Sequence, residues 1–354
     1  MNQTNQIRVG LIGYGFAGRT FHAPVITTVP QLKLAKIVQR TGNTLKERYP
    51  WVEIVRDVQD LYQDETIDLV VITTPSTNHF EFARDALAAG KHVIVEKPFT
   101  TTTAEADELI RLAKEKGKVL SVFHNRRWDG DFLTLKEIVQ QQLLGTVKEA
   151  VFQWNGYRPL VNPARWRESA EKGSGTFYDL GVHFLDQALN LFGVPAAIDA
   201  DIRKQRDGAE ADDYFDVQLM YNDGLKVRLK SSMLVREPEP RYVLHGTKGS
   251  FVKYGIDPQE AALIAGQTPD AVNWGKEAPE LWGKLNTNVG ALHMEGRIET
   301  HAGCYPAYFQ NVAEHILGQS ELAVKAEEAR MTIRLIELAY QSAAEQKTII
   351  VDMQ

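Results

Sequence analysis

Ile7-Arg8-Val9-Gly10-Leu11-Ile12-Gly13-Tyr14-Gly15-Phe16-Ala17-Gly18 decides the fold. The first six residues are apolar enough for a buried strand, which runs directly into G-x-G-x-x-G with a helix expected beyond. Each glycine has its own task. Gly13 permits the tight turn, Gly15 lets a pyrophosphate approach the backbone, and Gly18 lets the next helix pack close to the strand. Phe16 and Ala17 stand inside the turn, where the helix amino terminus offers free N–H groups and a positive dipole end to phosphates. Strand, glycine triplet and helix in this order predict a dinucleotide site.

The strand-and-helix alternation continues. Leu32 to Val38, Val52 to Val55, Leu69 to Ile72, Val93 to Val95 and Val119 to Val122 read as strands. Between them, residues 77–89 and 103–116 carry helical spacing, the latter with Leu109, Leu112 and Ala113 facing inward. Alternating β and α elements imply a parallel doubly wound sheet, so residues 1–123 are expected to form a Rossmann domain. An Asp or Glu after the second strand would hold the ribose 2′-hydroxyl of NAD. Here that place reads Val38-Gln39-Arg40-Thr41, with no carboxylate before Glu47. Arg40 and Thr41 suit a 2′-phosphate, the arginine by forked, charge-assisted hydrogen bonds. NADP is therefore expected rather than NAD; the alternative is a loop arginine that faces water.

In His92-Val93-Ile94-Val95-Glu96-Lys97-Pro98-Phe99, a β-branched run ends in an acid, a lysine and a proline. Pro98 cannot donate to a ladder, so the strand stops and leaves Lys97 at its carboxyl end, where open parallel sheets bind ligands. Thr73-Thr74-Pro75-Ser76-Thr77-Asn78-His79 leaves the preceding strand at the same edge and suits a loop lying along the cofactor. Ser76 or Thr77 also fits a helix cap.

After Val122 the period changes. Phe132, Leu135, Ile138 and Val139 mark a helix, and strands then alternate with turns. Tyr214 to Tyr221 and Leu225 to Ser231 flank Asn222-Asp223-Gly224, and Val243-Leu244-His245 and Ser250-Phe251-Val252 flank Gly246 to Gly249, so two hairpins are predicted. Residues 255–300 show no clear period and read as an excursion, before helical spacing returns from Cys304 to Leu317 and from Lys325 to Ala344. Residues 124–354 are expected to form an α+β domain with a large open, mainly antiparallel sheet.

Within it, Gly173-Ser174-Gly175-Thr176-Phe177-Tyr178-Asp179-Leu180-Gly181-Val182-His183 brings small residues up to a helix expected from about Tyr178 to Phe192. Asp179 and His183, four apart, share one face near its amino terminus. There the dipole disfavours the imidazolium and keeps a neutral base available, with Asp179 or Asp186 to orient the ring. The alternative is a surface helix whose Asp and His face water.

Composition limits the function classes. The 354 residues are 44% hydrophobic and 24% charged, with a formal net charge of -6. Such a chain has no charge excess to recruit nucleic acid or an anionic membrane. Its longest apolar runs are strand-length, far below the roughly 20 residues that span a bilayer. The start, Met1 to Gln6, carries no secretory pattern, so a cytoplasmic location is expected. Cys304 is the only cysteine, which excludes an internal disulfide and a multi-cysteine metal site and reads best as a packed core residue. No metal is expected.

The glycine turn, Thr74-Pro75 with His79, Glu96-Lys97-Pro98 and Asp179-Leu180-Gly181-Val182-His183 together resemble the Gfo/Idh/MocA oxidoreductases over essentially the whole chain. Gly15 to Pro24 is similar to the branch containing NADP-dependent scyllo-inositol dehydrogenases. The resemblance implies a Rossmann domain joined to an α+β domain that binds substrate and commonly builds a homo-oligomer, here a dimer or tetramer. It implies that Lys97, Asp179 and His183 carry the catalysis and contact substrate with Arg127 and Tyr157. It also puts Asn78, His79, Glu96, Lys97, Asn125, Trp166 and Arg167 beside the cofactor, with the glycine turn, Arg40, Thr41, Thr73, Thr74 and Pro75. The expected reaction moves a hydride between nicotinamide and a secondary hydroxyl or ketone of a cyclic polyol or sugar, scyllo-inositol and its inosose first. Alternatives are another sugar dehydrogenase, a glycoside hydrolase using tightly bound NAD, and a non-catalytic NADP sensor.

Overall fold

The computed structural model describes residues 6–42, 45–162 and 165–352; Met1 to Asn5, read above for a leader, lie outside them. The chain divides into two compact units, and neither is a single stretch: Met1–Trp128, Pro258–Trp274 and Cys304–Arg330 form the first, and Asp129–Asp257, Gly275–Gly303 and Met331–Gln354 the second.

The first unit is built on six parallel strands, β1 (Ile7–Ile12), β2 (Leu32–Val38), β3 (Glu53–Val55), β4 (Leu69–Ile72), β5 (His92–Val95) and β6 (Leu120–Val122). All of Leu69 to Ile72 is buried, as befits a strand covered on both faces. The order β3-β2-β1-β4-β5-β6 is that of a Rossmann sheet and reverses direction at β1, next to β4. The turn after β1 and the loop after β4 therefore leave from neighbouring strands, at the crevice where such sheets take ligands. The helix Thr103–Lys116 starts in a capping box of Thr102 and Glu105 and ends at Gly117 in the left-handed region, with Leu109 and Ala113 buried and Leu112 only partly so. Later sequence returns to this unit through a side-chain ladder: Tyr308 Oη donates to Ser121 Oγ (3.0 Å), which donates to the Val324 carbonyl (2.9 Å).

Among the described residues the second unit holds nine strands, β7 (Val147–Gln153), β8 (Ala197–Arg203), β9 (Tyr214–Met220), β10 (Lys226–Ser232), β11 (Tyr242–Gly246), β12 (Gly249–Lys253), β13 (Gly283–Val289), β14 (Leu292–Ile298) and β15 (Ile349–Ile350). They lie in the order β14-β13-β12-β11-β7-β10-β9-β8-β15, antiparallel except for the β7–β10 pair. Both expected hairpins form. In β10, Val227 and Leu229 are fully buried while Lys226 and Arg228 are exposed, the period-two signature of a sheet with one packed face.

Two expectations are overturned. Residues 255–300 are no mere excursion, since β13 and β14 pair as a hairpin that extends the sheet. Every residue from Leu292 to Arg297 is exposed, so no buried face leaves a hydrophobic period to read. Cys304 is exposed rather than packed in a core. Among the described residues no helix is long and apolar enough to cross a membrane.

The helix Gly130–Gln140 of the second unit carries a buried acid in its first turn. Burial, reinforced by Asp257 and opposed by Arg241 and Lys253, pushes the Asp131 carboxyl up to about 6. A carboxyl raised on folding contributes stability below its unfolded pKa and loses it as pH climbs through the folded value, here between about 4 and 6. Asp131→Asn, whose amide oxygen can still accept the Phe132 N–H (2.7 Å), should therefore gain on the wild type by on the order of 2 kcal/mol across that window. Thermal midpoints of both proteins from pH 4 to 7 check this; a constant difference would refute it.

Candidate active site

In the first unit, the carboxyl edge of the sheet gathers four loops. Gly13 has φ +96°, and a Cβ on Gly18 would stand 2.3 Å from the Gly13 carbonyl oxygen and 2.9 Å from Thr73 Oγ1. Both positions demand glycine for fold reasons. At Gly15 a Cβ would meet nothing within 4 Å, so its open backbone faces free space. That asymmetry fits a pyrophosphate approaching at Gly15 while the other two glycines shape the turn. Thr73 Oγ1 donates to the carbonyls of Gly13 (2.8 Å) and Ile12 (3.1 Å), tying the loop after β4 to the glycine turn. Phe16 is half exposed beside Phe21, and Ala17 leads into a π turn at Gly18–His22.

His79 joins the next pair of loops. Its ring lies 2.8 Å from the Pro98 carbonyl through Nδ1 and 3.0 Å from the Thr74 carbonyl through Nε2, and it is buried. Burial lowers its pKa while the two carbonyls pull upward, and burial outweighs them. Pro75 precedes a 3-10 turn at Ser76–Asn78, whose last residue, Asn78, runs into the helix His79–Ala88.

Glu96 turns its carboxylate inward. Oε1 lies 2.7 Å from His22 Nε2, and Oε2 accepts the Lys97 N–H at 2.8 Å. Burial works against the charge, but the His22 hydrogen bond and the charges of His22 and Lys97 outweigh it and hold the carboxyl below its usual range. The His22 ring packs against Phe123 at 4.3 Å and Phe309 at 5.7 Å. His22 thus braces the lysine loop from the helix after the glycine turn, a pairing 74 residues apart that local sequence cannot signal. Lys97 follows β5 by two residues and is half-buried.

Arg40 and Thr41 lie exposed just past β2, with no acid at the strand end. The loop is held from below by Arg56, which donates to the Gln39 and Gly42 carbonyls. Asn125 and Arg127 lie in the buried 3-10 turn Asn125–Trp128. The Arg127 guanidinium donates to the Ala323 carbonyl (2.8 Å) and pairs with Glu328 (2.8 Å), which engages it in packing within this unit.

In the second unit, the helix expected from Tyr178 begins as a π turn, Phe177–Gly181, and continues as an α-helix, Val182–Phe192. The extra residue in the turn changes the phase between Asp179 and His183, so the α-helical i,i+4 rule does not carry across it. Asp179 is half-buried and accepts from Arg167 Nε at 3.0 Å, whereas His183 and Asp186 are buried. This helix is therefore not a surface helix. The Arg167 guanidinium also lies 5.0 Å from the Trp166 ring centroid, so these two residues and Asp179 form one cluster. Tyr157 is half exposed, with the Arg236 guanidinium 4.0 Å from its ring centroid.

Comparison with known proteins follows this architecture. Residues 7–124 match the model described as "Oxidoreductase family, NAD-binding Rossmann fold", and residues 136–351 match "Oxidoreductase family, C-terminal alpha/beta domain", both of the Gfo/Idh/MocA group. The chain is 41% identical over 350 residues to scyllo-inositol 2-dehydrogenase (NADP(+)) IolW of Bacillus subtilis, covering 99% of this chain and 97% of that one. It is 44% identical over 346 residues to YdgJ of Escherichia coli, an uncharacterized oxidoreductase, covering 98% and 99%. Among solved structures, the yvaA protein of Bacillus subtilis superposes with a TM-score of 0.95 at 41% identity, covering 99% of this chain and all of that one. With both halves matched and the Rossmann sheet and open second sheet in place, the chain belongs to the Gfo/Idh/MocA family of oxidoreductases.

Proposed function

We propose that the protein is an NADP(H)-dependent dehydrogenase acting on a secondary hydroxyl of a cyclic polyol or sugar, with scyllo-inositol and its ketone as the first pair to test. The observation that carries this reading is the 41% identity, along 99% of the chain, to an NADP-dependent scyllo-inositol 2-dehydrogenase. In this reading residues 1–123 take the cofactor, and residues 124–354 take the substrate and assemble a homo-oligomer. Gly13, Gly15 and Gly18 receive the pyrophosphate, and Arg40 with Thr41 receives the 2′-phosphate. When bound, the nicotinamide supplies the hydride acceptor. Lys97 holds the substrate oxygen by N⁺–H···O hydrogen bonding as negative charge grows on it. His183 accepts the hydroxyl proton and returns it in ketone reduction, and Asp179 supports the imidazolium. A screen of cyclic polyols and aldoses with NADP and with NAD, followed by absorbance of the reduced nicotinamide, tests the reading. Turnover confined to NAD, or cofactor binding with no hydride transfer to any of these substrates, would overturn it.

Arg40→Ala probes the cofactor choice by itself. Removing a charge-assisted contact to the 2′-phosphate should raise the KM for NADP by on the order of tenfold and leave that for NAD nearly unchanged. Equal losses with both cofactors would show that Arg40 does not read the 2′ position.

A further inference from the structure

The π turn that carries Asp179 is held by an acid from a distant loop. The Asp212 carbonyl accepts the Thr176 N–H (2.8 Å), and its carboxylate Oδ2 accepts the Phe177 N–H (2.8 Å). Its other oxygen, Oδ1, accepts from Tyr340 Oη at 2.6 Å. Three successive residues are shaped to Asp212. At Gly175, φ is +93° and a Cβ would fall 2.2 Å from Asp212 Oδ1, so the backbone comes as close as a glycine allows. Thr176 then presents its N–H to the Asp212 carbonyl, and Phe177 presents its own to the carboxylate. Tyr340 closes the other side, edge-on to Phe177 at 5.7 Å and stacked on Tyr178 at 5.7 Å. At the far end of the turn, a Cβ on Gly181 would strike the Phe177 ring at 2.2 Å, so this ring is locked between Gly181 and Tyr340.

The neighbouring acid holds the arm that reaches Asp179. Asp213 binds Arg206 (Nε to Oδ2, 2.8 Å), and Arg206 pairs with Glu168 (3.3 Å), one residue from the Arg167 that donates to Asp179. The Arg167 carbonyl in turn accepts the Gly175 N–H at 2.8 Å. Asp212 and Asp213 thus brace both the turn bearing Asp179 and the arginine paired with it. A π turn in place of a regular α turn is a local irregularity that must be maintained by its surroundings, and such turns concentrate at functional sites.

We propose that Asp212 is a positioning residue, which holds Phe177–Gly181 in its π conformation and so sets the phase between Asp179 and His183. Without the clamp the turn is free to relax toward an α-helix, which moves Asp179 around the helix relative to His183 while leaving the Val182–Phe192 helix intact. The consequence for catalysis rests on the roles given to Asp179 and His183 under Proposed function; the structural consequence does not.

The test uses the full-length protein with Asp212→Ala, Asp212→Asn and Tyr340→Phe. Asp212→Ala should lower kcat by about tenfold to a hundredfold, the scale expected for small misplacement of a reacting group, with the KM for NADP unchanged. Asp212→Asn should recover most of this, because its amide oxygen can accept the Phe177 N–H while its NH₂ donates to Tyr340 Oη. Tyr340→Phe should fall between. Amide hydrogen exchange at Phe177 should quicken in Asp212→Ala while the amides of Val182–Phe192 keep their protection, and this arm holds whatever substrate the enzyme takes. Unchanged exchange at Phe177 would overturn the clamp, as would exchange that rises across the whole second unit. Unchanged kcat with faster Phe177 exchange would retain the clamp's structural part and overturn its catalytic part. Equal kcat losses in the Ala and Asn variants would overturn positioning in favour of a role for the charge itself. If the wild type oxidises none of the polyols or sugars, the proposed function fails, and the exchange measurement still decides the clamp.

Discussion

Lys97→Met is expected to lower kcat for alcohol oxidation by about a hundredfold or more, near 3 kcal/mol in the barrier, and to leave NADP binding largely intact. The size follows from removing one electrostatic stabiliser of developing oxyanion charge. The selectivity follows from how the loop is held. The Lys97 N–H is taken by Glu96 Oε2, Glu96 is braced by His22, and the Pro98 carbonyl faces His79. These hydrogen bonds run through the backbone, Glu96 and the two histidines, and the ammonium supports Glu96 by its charge. Methionine keeps the length and apolar stem, so the backbone hydrogen bonds to Glu96 and His79 can persist. Steady-state rates with the polyol, beside NADP affinity from nicotinamide fluorescence, make the measurement. An active Lys97→Met enzyme would reduce Lys97 to a residue that positions substrate.

The Rossmann half was legible because its central strands are buried on both faces and bounded by glycine and proline. Leu69-Val70-Val71-Ile72 can hardly be anything else once a strand-length apolar run is flanked by helical periods. The second sheet was legible only where it has an inner face. Lys226 to Lys230 alternates and was read; Leu292 to Ile298 faces outward along nearly its whole length and was not. At the candidate site, the glycines were readable because backbone sterics act locally. The residues that hold the site in shape were not, because their partners are remote: His22 with Glu96 across 74 residues, and Asp212 with Phe177 across 35. The π turn escaped for a related reason. Its cause lies in Asp212 and Tyr340, and its own residues read as an ordinary helix start.

His183→Asn should abolish the pH dependence of alcohol oxidation as well as most of its rate. A base must be unprotonated to take the hydroxyl proton, so wild-type oxidation should rise with pH through a single ionisation, and ketone reduction should rise as pH falls. Asparagine keeps a polar group of similar size but accepts no proton in this range, so the remaining activity should lose that ionisation. Burial of His183 strengthens the test, since the ring cannot swing freely into solvent and be replaced by bulk water without cost. Asp179→Asn should slow turnover too, because an amide cannot support the imidazolium by charge and breaks the ion pair with Arg167. If Asp179 acts through His183, the double variant should lose little more than His183→Asn alone, whereas additive losses would assign the two residues separate tasks. Should His183→Asn raise only the KM for substrate and preserve both kcat and its pH profile, His183 would be a binding residue, and the proton would have to leave through Lys97.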